Sequence, residues 1–190
     1  KRIATDVLDQ SKKELLGGKD VSEFLLKKGR VGSYDKLIIE SRDAVKNLGQ
    51  QIKTLLQSTP TKAKITQNTI FEETAQKLNE QGGAVTAKEI SNIVNKLAPQ
   101  AKGFLVEKSW SPIKANQVRV LLDNTLGDKA FLSQQLPFNK SVLRTFNGIL
   151  RNTIKDLTPG TRELFAEQTK EITLRNALLD KAQVAAKKQF

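Results

Sequence analysis

The chain has 190 residues, of which 32 are Lys or Arg and 20 are Asp or Glu, and its formal net charge is +12. It contains no Cys and no His, which excludes disulfides, thiolate metal sites, cysteine nucleophiles and imidazole acid/base chemistry. The length allows one medium domain or two small ones, and with eight Phe, one Trp and one Tyr the apolar material is mostly Leu, Ile, Val and Ala, which suits helix packing.

No stretch approaches the roughly 18 apolar residues that would span a bilayer, and residues 1–20 lack the zones of a signal peptide. The positive excess favours polyanionic partners such as nucleic acid and says nothing about fold. Because the chain also lacks Met, Lys1 is expected to follow a segment lost by processing or truncation.

Residues 3–16, with Ile3, Val7, Leu8, Leu15 and Leu16, read as a first helix stopped by Gly17-Gly18. A short helix is expected at 21–28, ending at Gly29. From Ser33, a candidate N-cap, to Gln57, the residues Tyr34, Leu37, Ile38, Val45, Leu48, Ile52, Leu55 and Leu56 fall within an arc of about 100°. That stripe predicts a core-facing helix, with Ile39 off it and Gly49 at its edge, where another backbone could approach. Ser58-Thr59-Pro60-Thr61 then breaks the pattern, so 58–65 is taken as a linker between an N-terminal helical segment, 1–57, and a basic helical region, 66–190.

A helix at 67–80 carries Ile70, Phe71, Ala75 and Leu78 and stops at Gly82-Gly83. Thr86 and Glu89 have capping-box spacing and introduce a helix with Ile90, Ile93, Val94 and Leu97. Phe104-Leu105-Val106 is too short to separate a helical turn from a strand and is taken as connection. Ser111-Pro112 opens a helix running to Thr125 and ended by Gly127-Asp128. A short apolar segment around Phe131-Leu132 precedes a helix at 139–157, and Thr158-Pro159 opens a last one, 159–190. In that last helix Gln168 and Arg175 interrupt the line of Phe165, Ile172 and Leu179. Such a diluted seam predicts a peripheral, projecting or partner-seeking helix, with Glu171 and Arg175 paired four residues apart.

No phosphate-binding glycine loop, dinucleotide fingerprint or nucleophile elbow is present. Glu72-Glu73 with Glu80, and Asp6 with Asp9, place carboxylates together on helices, but without a supporting His they read as solvated faces. The constellation that stands out is Lys140, Arg144, Arg151 and Lys155 on the 139–157 helix. They share about 60° of arc with Asn147 beside them, while Val142, Leu143, Phe146, Ile149, Leu150, Ile154 and Leu157 occupy the opposite side. A cationic ridge about 22 Å long can follow phosphates by charge alone, and an ordinary solvated face is its alternative. Trp110 and Tyr34 could stack on bases but are expected to pack in the core.

The stretch Ser111-Pro112, Leu121-Leu122-Asp123 and Gly127-Asp128-Lys129-Ala130-Phe131, with the two helices after it, resembles helical structural proteins of tailed bacteriophages and prophages. The resemblance covers less than half the chain and transfers no functional residue. It implies a virion component, internal or at the portal and tail, where basic helical proteins meet packaged DNA and proteolytic maturation can remove an initiator.

These readings predict an all-α, multi-helix bundle with an extended C-terminal helix. The function expected of it is that of a non-enzymatic structural or assembly protein, a homo- or hetero-oligomer in a virion or the cytoplasm. It would use the ridge Lys140, Arg144, Arg151 and Lys155 on nucleic acid, with no catalytic residue, cofactor or metal. The alternatives are a free nucleic-acid-binding regulator, for which no compact helix-turn-helix is found, and a membrane-active helical effector, for which the Trp- and Phe-rich face is missing.

Overall fold

A computed structural model describes residues 21–59, 62–127 and 136–187. The helix expected at 3–16, the Gly17-Gly18 stop, the Asp6 and Asp9 pair and the Phe131-Leu132 segment lie outside them. The helices are α1 (Val21–Lys27), α2 (Tyr34–Ser58), α3 (Gln67–Glu80), α4 (Ala87–Leu97), α5 (Lys102–Leu105), α6 (Pro112–Leu126), α7 (Phe138–Leu157) and α8 (Thr161–Lys187), with a 3-10 turn at Pro99–Ala101. Two two-residue strands, β1 (Ile65–Thr66) and β2 (Ser109–Trp110), pair antiparallel, Ile65 opposite Trp110. The fold is all-α with a long C-terminal helix.

The predicted caps form. The Thr86 hydroxyl accepts from the Glu89 N–H while the Thr86 N–H donates to the Glu89 carboxylate at 2.8 Å, and the Ser111 hydroxyl accepts from the Lys114 N–H with Pro112 at the first helical position. Thr158 behaves differently: its N–H closes α7 onto the Ile154 carbonyl, and its own carbonyl takes the Thr161 N–H at 2.9 Å, so α8 starts two residues later than Pro159 suggests.

The chain divides into two compact units, one made of Lys1–Ile52 with Glu163–Phe190 and the other of Lys53–Arg162. In the first, Val21, Phe24 and Leu25 of α1 pack with Leu37 and Ile38 of α2 and Leu174, Ala177 and Leu178 of α8. A seven-residue helix is marginal alone, and this burial is what holds α1. Its C-terminus closes with two reverse bonds, Gly29 N–H to the Leu26 carbonyl and Arg30 N–H to the Leu25 carbonyl, which require the positive φ of +65° at Gly29.

That turn delivers Arg30 to Glu171 of α8. Glu171 is 1% exposed, and its carboxylate accepts from Arg30 at 2.7 Å and from the buried Ser41 hydroxyl at 2.9 Å. Gln168 is buried as well, donating to the Val45 carbonyl and lying against Gly49, so a side chain, not a second backbone, makes the close approach there. The diluted seam of α8 is therefore an internal polar seam. Residues 173–178 are all buried, so through this stretch α8 does not project from the core, its polar groups having partners inside, whereas residues 183–185 near its end are exposed.

In the second unit α7 is central, packing against α3, α4 and α6. Phe146 is fully buried and meets Phe71 with ring centroids 5.1 Å apart. Of Phe104-Leu105-Val106, which the sequence reads as connection, the first two close the short helix α5, and the stretch to Trp110 is pinned by the β1–β2 pair, by Gln67 Nε2 donating to the Leu105 carbonyl at 2.8 Å and by the buried Trp110 indole donating to the Phe104 carbonyl at 2.8 Å.

Two outcomes are expected. Phe146→Ala, which empties the contact of α7 with α3, should lower unfolding free energy by about 3–5 kcal/mol in urea titrations. Burial alone would raise the Glu167 carboxyl, but its hydrogen bond from Lys28 and the charges of Lys28 and Lys170 outweigh that and hold it below the usual value. A depressed carboxylate stabilises the fold above its unfolded value and loses that contribution as pH falls through the folded one. Stability should therefore decline on acidification below about pH 4.5, and Glu167→Gln should decline less; parallel wild-type and variant curves would refute the assignment.

Candidate polyanion interface

The ridge residues all lie on α7, but the structure splits them. Lys140, in the first turn, is exposed; Arg144 and Lys155 are half-buried; the Arg151 side chain is 16% exposed; and Asn147, between them, is buried. A uniformly solvent-facing ridge is thus not what forms, because α6 covers one flank of it.

The covering group is Asp123 of α6. One of its oxygens accepts from Arg119 and lies 4.0 Å from Arg151, and the other accepts from the Asn147 amide. Arg119 is only 2% exposed and also donates from Nε to Asn116 at 2.9 Å. Burial lowers the Arg119 guanidinium to about 10, Asp123 opposing and Arg151 adding to that shift. The sequence reading passed over Arg119, Asn116 and Asp123. A signal was present: on the 100° wheel Arg119 falls about 20° beyond the edge of the apolar arc of Ala115, Val118, Leu122 and Leu126, where a cation drawn into the packing must bring its own partner.

At the C-terminal end of α7 the charge is less compensated. The Lys155 ammonium has Asn152 Oδ1 as hydrogen-bond partner at 3.4 Å. Burial, and then the neighbouring Arg151 and Arg162, lower it from the ordinary lysine value, against the opposing charge of Asp156. Arg162 was not in the predicted ridge; it follows the turn after α7 and pairs with Asp156 at 2.9 Å, both side chains being well exposed. The structure thus brings Arg151 and Lys155 together with Arg162 at one end of α7 and leaves Lys140 and Arg144 toward the other.

The remaining candidates take their bland readings. Trp110 is buried, and Tyr34 packs half-buried against the α1–α2–α8 core. Glu72, Glu73 and Glu80 are exposed, with Asn68 donating to Glu72 and Gln76 to Glu80. Among the described residues no group of three carboxylates could hold a metal ion, and no helix is long and apolar enough to cross a membrane. Comparison with known protein families, with curated proteins and with solved structures finds no match.

Removing Asp123 should be costly because it leaves Arg119 buried without its counter-charge. Asp123→Ala is expected to lose about 3–5 kcal/mol of unfolding free energy, whereas Lys140→Gln, at an exposed site, should stay within about 0.5 kcal/mol of wild type. Equal midpoints for the two variants in urea would show that Asp123 does not hold this interface.

Proposed function

We propose that the protein is a non-enzymatic structural or assembly component, acting in multiple copies, that contacts nucleic acid through phosphates along α7. The observation that carries this reading is the distribution of charge. Residues 53–162 hold 16 basic and 8 acidic side chains, a net +8, and Lys140, Arg144, Arg151 and Lys155 stand on a single arc of the central helix of that unit. Lysine and arginine neutralising phosphates release counterions, which gives affinity without reading sequence. The setting in a virion or phage-like particle rests on the resemblance of residues 111–190 to phage structural proteins.

The test is a salt titration of duplex binding. Three to four phosphate contacts predict a log–log slope of about −2.7 to −3.6. A variant with Gln at all four ridge positions, shown to be folded by circular dichroism, should lose most of that slope. Superimposable wild-type and variant titrations would return the ridge to an ordinary solvated face.

A further inference from the structure

Resting on the nucleic-acid reading but on none of its α7 residues, we propose that the ribbon of β1 and β2 contacts the phosphates of a single nucleic-acid strand through Lys62, Lys64 and Lys108. The sequence reads 58–65 as linker and 104–106 as connection, so none of these lysines stands out before the chain folds. Strand pairing brings them together. Ile65 lies opposite Trp110 and Thr66 opposite Ser109, and the Gln67 N–H carries the ladder one step further by donating to the Lys108 carbonyl at 3.0 Å. Lys64 therefore stands at one end of the ribbon and Lys108 at the other, with Lys62 two residues before Lys64. Over 62–66 exposure alternates: Lys62, Lys64 and Thr66 are exposed, Ala63 is half-buried and Ile65 is buried. That two-residue period sets Lys62, Lys64 and Thr66 in a row on the outer face at intervals of about 6.6 Å, with Ser109 beside Thr66.

All three lysines are exposed, and their ammonium groups make no ion pair or hydrogen bond among the described residues, whereas Lys28, Lys36, Lys114 and Lys170 each have a carboxylate. The carboxylate nearest them in sequence, Glu107, is taken by Lys114 at 2.6 and 2.8 Å. Between the lysines stand the Thr66 and Ser109 hydroxyls, neutral groups that can donate to phosphate oxygens; Thr66 does not spend its own on capping α3. The backbone beneath is fixed by the buried Trp110, whose indole is bonded to Phe104, and by the Gln67 bond to Leu105, so less ordering is lost on binding than a loop would lose. Lysines beside exposed strands also guard them against edge pairing, a role that predicts no effect on nucleic-acid binding when they are replaced. The straight row selects a single strand. Alternate phosphates of one duplex strand advance about 6.8 Å along the axis but also turn about a fifth of the way round it, off the row, whereas a free strand can straighten to follow it.

The full chain is titrated across salt with a labelled oligothymidine strand, and separately with phosphatidylserine vesicles, for the wild type, Lys62→Gln/Lys64→Gln/Lys108→Gln and a charge-matched control, Lys77→Gln/Lys88→Gln/Lys96→Gln, which alters three exposed lysines of α3 and α4. Circular dichroism checks that both variants are folded. Three lost phosphate contacts should make the single-strand slope about 2.1 less negative and weaken binding about a hundredfold at 0.1 M salt, while the control stays near wild type. If the ribbon variant binds the strand like wild type, or loses no more than the control, the ribbon is overturned, and the duplex titration of the α7 variant still decides the ridge. If the ribbon variant loses strand binding while the four-position α7 variant binds duplex like wild type, the ribbon stands and the ridge falls. Val106, 78% exposed beside Lys108, offers a lipid surface too little apolar area for insertion; loss of vesicle binding with strand binding intact would reassign the ribbon to an anionic membrane and overturn the proposal.

Discussion

In each compact unit a carboxylate on one helix is shared by two basic side chains, and the packing depends on it. Glu171 of α8 accepts from Arg30, with Lys28 at 3.9 Å, and Asp123 of α6 accepts from Arg119, with Arg151 at 4.0 Å. Glu171 is buried and Asp123 half-buried against the buried Arg119; such carboxylates are tolerable only when paired and hydrogen-bonded, and Ser41 and Asn147 supply the remaining bonds. Such groups add little net stability, but they fix register: Glu171 accepts Arg30 only if Gly29 turns the chain at the end of α1, and Asp123 meets Asn147 in a single alignment of α6 on α7. In a chain carrying +12, carboxylates are outnumbered, and these two are committed to contacts between helices.

The second cluster decides what α7 can present outside. The apolar residues of α7 cover roughly 140° of arc and are claimed by α3, α4 and α6. Asn147 and Arg151 sit on the side of the ridge nearest Ile154, so α6 takes them along with the apolar stripe. Arg144 and Lys155 lie further round and stay half-exposed. The more exposed cations of the ridge therefore lie toward the two ends of the helix, with the stretch covered by Asp123 between them.

Helix positions were legible in the sequence because periodicity, caps and glycine stops agreed. The stripe from Tyr34 to Leu56 and the Thr86–Glu89 box each rest on local chemistry that tertiary packing did not override. What failed was the inference from polarity to exposure. Gln168, Glu171 and Arg175 read as a seam too polar for the inside, yet all three are buried, since their partners come from residues more than 120 positions away in the cases of Gln168 and Glu171. The ridge failed in the same way at its centre: a helical wheel places four cations on one arc but cannot say that Asp123, from another helix, reaches between them.

The aromatic residues set a limit on how such a surface recognises a ligand. Trp110, Phe24, Phe71, Phe146 and Phe165 are buried, and Phe138 is the one strongly exposed aromatic among the described residues. One ring offers a single stacking platform and cannot track successive bases. In the proposed reading, then, almost all contact is between Lys or Arg and phosphate, and sequence-independent binding of that kind has dissociation constants of about 10⁻⁴ to 10⁻⁶ M at physiological salt. A lone copy with three or four such contacts would exchange rapidly. Copies held side by side raise the effective concentration of each next contact and can strengthen binding by about 10²–10⁴ without any new interaction. The weakness of the single ridge is therefore what ties the two halves of the proposal together: a charge-only surface this small becomes a firm grip on nucleic acid when the chain acts as a repeated component of an assembly.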